Sequence, residues 1–216
     1  MVFNCSLDHS KNYYAAFGST WGIGKQKILP VNDKGLYAAL RAVIAPLQSA
    51  VLQIARAFLA TGQQPERTII FAFWDGEEKG LLGSKAFVQS FPEIKNVKGY
   101  LNFDMIGRNN NEAKPTHVVY FYTESHPVFG DWLKNDIKKY GLNLAPDYRP
   151  WDTPVGGSDN GSFAKVGIPI IWYHTDGHPD YHQPSDHADR INWDKVVDIT
   201  KASFLNMWYM ANEKEF

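Results

Sequence analysis

The run Thr68-Ile-Ile-Phe-Ala-Phe-Trp74 constrains the fold more than any other part of the sequence. A strand with one wet face alternates apolar and polar residues. This one is apolar almost throughout, so both of its faces must be covered, which is the situation of a central strand in a sheet sandwiched between helices. Further strand-like runs extend from Val97 to Phe103, from His117 to Tyr122 and from Ile168 to Tyr173, and Val2 to Cys5 reads as another. Pro169 puts the last of the longer runs at a strand start or at a sheet edge. Between the runs, residues 47–61, 83–89 and 128–140 carry helical periodicity, and a final helix is predicted from Trp193 to Asn212. Thr61-Gly62 closes the first of these helices, with Pro65 just beyond. Strand and helix alternate, which predicts an α/β fold in three layers: a mostly parallel central sheet with helices on both faces. With 216 residues, 44% of them hydrophobic, the chain can bury one substantial core, and residues 1–216 read as a single domain.

The charge balance narrows the function. The net charge is -1, so neither a nucleic-acid nor a membrane-surface partner is expected. No apolar run approaches the ~20 residues of a membrane span. Cys5 is the single cysteine, which excludes an internal disulfide. The opening residues Met-Val-Phe-Asn-Cys-Ser lack a basic region followed by an apolar stretch, so no signal peptide is read there.

In a parallel sheet, chemistry sits in the loops beyond the carboxyl ends of the strands. Three polar clusters fall at such places. Glu77-Glu78 follows the first apolar run. Adjacent carboxylates there either lie in solvent or share a cation, which would offset their repulsion and desolvation. Asp104 ends the run from Val97 and reads equally as a turn cap or a metal ligand. The loop 174–187 holds four of the seven histidines, His174, His178, His182 and His187, together with three aspartates. Imidazole and carboxylate are zinc donors, although the same composition also suits a polar surface loop.

Taken in order, these stretches resemble the leucyl-aminopeptidase-like zinc peptidases of family M28. The likeness is carried by Phe71-Ala-Phe-Trp-Asp-Gly-Glu-Glu-Lys-Gly-Leu-Leu-Gly-Ser84, by Asn102-Phe-Asp-Met-Ile-Gly107, by Gly157-Ser-Asp-Asn-Gly-Ser-Phe163 with Gly167-Ile-Pro169, and by Asp180-Tyr-His-Gln-Pro-Ser-Asp186. It runs from about Ser49 to the end of the chain. The resemblance implies a zinc-exopeptidase fold and metal-assisted hydrolysis of the peptide bond next to a free N-terminus. It implies that Glu77 is the general base and that Glu78 and His182 are ligands of one zinc. Asp104 would be a ligand of a second zinc, and Asp159 would stand behind the ligands. The expected substrate is a peptide or a small aminoacyl compound, and members of the family are often secreted or periplasmic.

The sequence departs from the family pattern in two places. Where the family has a His ligand after an early strand, this chain reads Ser6-Leu-Asp-His9, and a serine hydroxyl is a poor zinc donor. Where the family has a metal-bridging Asp, the stretch Ala38-Ala-Leu-Arg-Ala-Val-Ile-Ala-Pro-Leu-Gln48 has no carboxylate, and Asp33 is the nearest upstream. Two metal ligands are therefore missing from the pattern, which leads to an expectation of one zinc or none, and of impaired activity. A truncated chain, with its first strands absent or 38–48 read out of frame, accounts for these departures. The alternative is a catalytically inactive homologue that serves as a binding or structural domain.

Overall fold

The computed structural model describes residues 2–4, 14–20, 28–30, 46–152, 157–183 and 185–216. Ser6, His9, Asp33 and residues 38–45 lie outside the described residues. The strands are β1 (Val2–Asn4), β2 (Tyr14–Thr20), β3 (Ile28–Pro30), β4 (Thr68–Trp74), β5 (Val97–Phe103), β6 (His117–Tyr122), β7 (Ala145–Pro150) and β8 (Ile170–His174). The helices are α1 (Pro46–Ala60), α2 (Leu82–Ser90), α3 (Val128–Tyr140), α4 (Asn160–Ala164) and α5 (Trp193–Asn212). One eight-stranded sheet runs in the order β3-β1-β4-β2-β5-β8-β6-β7. Its centre, β4-β2-β5-β8, is parallel throughout. The outer pairs β1–β3 and β6–β7 are each parallel within themselves but run antiparallel to the centre. The sheet is therefore mixed and mostly parallel.

The unbroken apolar character of β4 follows from its position. Ile69 and Phe71 pack into one core with α1, α3 and α5, whereas Ile70, Ala72 and Trp74 pack into a second core with Phe87 of α2 and Phe163 beside Asn160 in α4. Successive side chains of one strand thus feed two separate layers, and Phe73 alone in the strand keeps partial exposure. Pro169 precedes β8, which lies between β5 and β6. The proline marks a strand start, where its missing N–H costs no ladder bond.

The sequence reading leaves four elements out. β7, Ala-Pro-Asp-Tyr-Arg-Pro, has two prolines and no apolar alternation, and it forms only because it sits at the edge of the sheet beside β6. α4 has five residues, too few for a periodicity to register. β3 has three residues and ends in proline. β2, Tyr-Ala-Ala-Phe-Gly-Ser-Thr, contains two alanines and a glycine, a composition poor in strand formers, yet it lies between β4 and β5.

On the helical side, Phe58 of α1 joins the layers. Its ring lies 4.9 Å from that of Phe204 and stacks on Trp208 at 5.7 Å, both of them in α5, and it meets Phe71 of β4 edge-on at 6.4 Å. Its neighbour Leu59 is 48% exposed. Phe58→Ala is expected to cost about 3–5 kcal/mol in urea unfolding, and Leu59→Ala less than about 1 kcal/mol. Equal costs for the two would contradict this packing.

Candidate active site

The parallel centre of the sheet gathers its carboxyl ends along one edge. Register pairs Thr20 with Trp74, Ser19 with Phe103 and Phe103 with Tyr173. The segments that follow β4, β5 and β8 therefore leave the sheet side by side. These carry Glu77-Glu78, Asp104 and the loop 174–187.

The turn after β4 is wound by backbone bonds. Gly80 and Leu81 N–H groups both donate to Glu77 O at 2.9 Å, Leu82 N–H donates to Gly76 O at 3.1 Å, and Gly83 N–H donates to Asp75 O at 2.8 Å. Two glycines make this possible. Gly76 has φ 69°, in the left-handed region. At Gly83 a Cβ would stand 2.7 Å from Asp75 N and 2.8 Å from Asp75 O, so any side chain there would push the turn away from α2. The outcome is a half-buried Glu77 beside an exposed Glu78.

The electrostatics of the edge are dominated by carboxylates. Burial pushes the Glu77 carboxyl up to about 7, helped by the negative charges of Asp104, Glu78 and Asp159 in that order. Asp159 is fully buried, and neither of its carboxylate oxygens accepts a hydrogen bond. Burial pushes it up to about 6, with Asp104 adding to the effect and the Ser84 hydroxyl opposing it. That hydroxyl is itself engaged with Ser162 Oγ at 2.8 Å.

A buried relay fixes the segment that carries Asp159. Trp74 Nε1–H donates to the Tyr100 hydroxyl at 2.9 Å, that hydroxyl donates to Asn102 Oδ1 at 2.9 Å, and Asn102 Nδ2 donates to Ser158 Oγ at 3.0 Å. The Tyr100 ring also lies flat on Phe163 at 3.8 Å. Strand residues thus place Asp159 by holding the residue before it.

From the other side comes His182. Its Nε2 lies 3.0 Å from Glu78 Oε1, and the Tyr181 ring stacks on its imidazole at 3.9 Å. His182 adopts φ 56°, a left-handed conformation that costs a residue with a Cβ on the order of 1–2 kcal/mol. Tyr181 belongs to the same group of charges. Its hydroxyl is pushed up by burial and then by Glu78, Asp104 and Glu77. The other histidines of the loop do different work. His174 Nδ1 accepts the Asp176 N–H at 2.9 Å, and burial lowers that imidazole to about 4, so it is neutral and structural. The His178 side chain is 4% exposed and its Nδ1 has no hydrogen-bond partner. His187 is exposed.

The five residues singled out in the sequence stand as follows. Glu78 and His182 are in direct contact. Glu77, Asp104 and Asp159 interact through their charges. Among the described residues, no three His, Cys, Asp or Glu side chains close together as a set of metal donors. Carboxylate and imidazole are the donor types that suit zinc, so the chemistry of the pair fits that ion, while its geometry here stops at two donors. Tyr181 and Arg108 were not singled out in the sequence. Arg108 immediately follows a recognisable stretch, but its partners, Asp180 and Asp186, are more than 70 residues away in sequence.

Residues 48–206 match the model of the family described as Peptidase family M28. Leupeptin-inactivating enzyme 1 of Streptomyces exfoliatus is 36% identical over 142 residues, which is 65% of this chain and 28% of that protein. Among solved structures, Legionella pneumophila LapA aminopeptidase superposes with a TM-score of 0.71 at 22% identity, over 96% of this chain and 53% of that one. BSAP, a zinc aminopeptidase from Bacillus subtilis, superposes with a TM-score of 0.71 at 17% identity, over 99% and 50%. The chain thus spans under a third of that curated relative and about half of these solved structures. At such identities the superpositions speak for the fold.

The crowding of charge has a measurable consequence in the metal-free chain. Asp159 has a folded value of about 6 against an ordinary 3.8, so its contribution favours the folded state below pH 3.8 and is lost as pH rises through about 6. Asp159→Asn is therefore expected to stabilise the metal-free chain relative to wild type at pH 8 by up to about 3 kcal/mol more than at pH 4. Unfolding midpoints at the two pH values measure this. A difference between variant and wild type that does not change with pH would show that Asp159 is not desolvated.

Proposed function

The chain belongs to peptidase family M28, and from that premise we propose that it hydrolyses the peptide bond next to a free N-terminus with the help of zinc. The observation that carries this reading is Glu77: a half-buried carboxyl held up to about 7 by burial and three carboxylates, one residue from the Glu78–His182 pair. A general base works best when its pKa lies near the working pH. Glu78 and His182 are the donors already in contact, and Asp104 is the carboxylate that acts most strongly on Glu77. These three are proposed to hold zinc, with Asp159 behind them. Bound zinc would polarise the scissile carbonyl and neutralise the negative charge that accumulates on it.

The roles of the side chains follow from their environment. Glu77 takes a proton from the attacking water and can return it to the leaving amine, which requires a carboxyl that is protonated about half the time near neutral pH. Asp159, buried and without a hydrogen-bond donor, keeps negative charge behind Glu77 and so maintains its basicity. The same carboxylate edge is suited to the ammonium group of a peptide N-terminus, which gives a physical reason for exopeptidase rather than internal cleavage. Family membership and the name of the Streptomyces relative both support peptide chemistry. A second reading, a non-hydrolytic binding domain on the same fold, is favoured by one observation: the described donors stop at a pair.

The test is steady-state hydrolysis of aminoacyl p-nitroanilides by the zinc-loaded chain. Glu77→Gln is expected to lower kcat by roughly 10²–10⁴-fold with KM changed little. Blocking the substrate amine is expected to abolish turnover. Wild-type kcat in Glu77→Gln would remove Glu77 as the base, and a wild-type chain without turnover would favour the binding-domain reading.

A further inference from the structure

We propose that Arg108 is a positioning residue for His182, acting through a two-pronged bridge to Asp180 and Asp186; the inference rests on the proposed donor role of the Glu78–His182 pair. His182 sits in an exposed segment, in a backbone conformation that residues with a Cβ rarely adopt. Something outside that segment must hold it against relaxation. Arg108 is placed to do so. Its guanidinium is buried, one terminal nitrogen donates to Asp180 Oδ2, and the other donates to Asp186 Oδ1. The two carboxylates lie on either side of His182 in sequence, so one cation clamps both arms of the turn that presents the imidazole.

The clamp is anchored at its other end. Lys195 Nζ, itself buried, donates to Arg108 O at 2.7 Å and to Asn109 Oδ1 at 2.8 Å. Asn192 N–H donates to Gly107 O at 2.8 Å. The first turn of α5 therefore braces the segment that begins at Asp104, and Arg108 transmits that bracing to the loop of His182. Asp180 is also engaged by Ser185 Oγ at 2.7 Å and Arg190 Nη1 at 2.9 Å. The planar fork of an arginine offers a separate nitrogen to each carboxylate, whereas a lysine must serve both from a single nitrogen. Two proposed donors, Asp104 and His182, are thus tied to one another through Arg108.

The test reads the His182–Glu78 contact directly, in the metal-free full chain. Imidazole signals are recorded by long-range ¹H–¹⁵N correlation, and that of His182 is identified by its loss in His182→Gln. With Arg108 present, Glu78→Gln is expected to shift the His182 signal. In Arg108→Met, and in the milder Asp186→Asn, the same Glu78→Gln change is expected to leave it unmoved, with Arg108→Lys recovering only part of the response. Zinc affinity, measured by competition with a chromogenic chelator, is expected to fall by roughly 10–100-fold in the same variants. A His182 signal that responds fully to Glu78→Gln in variants folded by circular dichroism would overturn the proposal. Loss of the response in a chain that binds no zinc would uphold the positioning role and remove the metal reading, so the two failures are distinguishable.

Discussion

Glu77 lies within electrostatic reach of three other carboxylates, Asp104, Glu78 and Asp159, at the carboxyl edge of a sheet whose faces are both apolar. Their repulsion is the constraint from which the rest of the site follows. Charges of one sign gather in a half-buried place only if the surrounding structure holds them there. For Glu77 and Asp159 the holding is done by neighbours that carry no charge of their own. Gly76 and Gly83 let the turn after β4 close tightly, and the relay from Trp74 through Tyr100 and Asn102 to Ser158 fixes the approach of Asp159. A cation at this edge would relieve the repulsion and draw stability from it.

A second layer of charge works in the opposite sense. Arg108 and Arg190 meet Asp180, and the Ser185 hydroxyl joins them, so that the Asp180 carboxyl is held well below the usual carboxylate range by Ser185 first and then by Arg108. The loop 174–187 therefore separates residues that fasten it from the one that meets Glu78. Asp180, Asp186 and His174 fasten the loop, and His182 faces out towards Glu78. The fastening residues allow His182 to keep an unfavourable backbone angle in an exposed place.

Much of this was legible in the sequence, and the limits have physical causes. The buried strand β4, the helices α1, α3 and α5 and the carboxyl-edge location of Glu77-Glu78 and Asp104 follow from apolar periodicity and from what a two-faced sheet demands. The outer pairs that make the sheet mixed were not legible, because strand direction is set by pairing and not by composition. β7 was hidden by its prolines, which an edge strand tolerates. Asp159 was found only through resemblance: nothing local reveals that both of its oxygens end without a hydrogen bond. Arg108 was missed because its meaning is a contact with residues distant in sequence. The density of histidines in 174–187 singles out a loop but no one residue of it, since a sequence cannot separate an imidazole that packs, such as His174, from one that meets a carboxylate, as His182 meets Glu78.

The central claim is that the edge formed by Glu78, His182 and Asp104 holds zinc. Elemental analysis of the chain after zinc loading and desalting, for wild type and for the double variant Glu78→Gln/His182→Gln, tests it most directly. The account expects zinc to remain with the wild-type chain and to be lost from the variant. Zinc retained by the variant, or none held by the wild type, would contradict it.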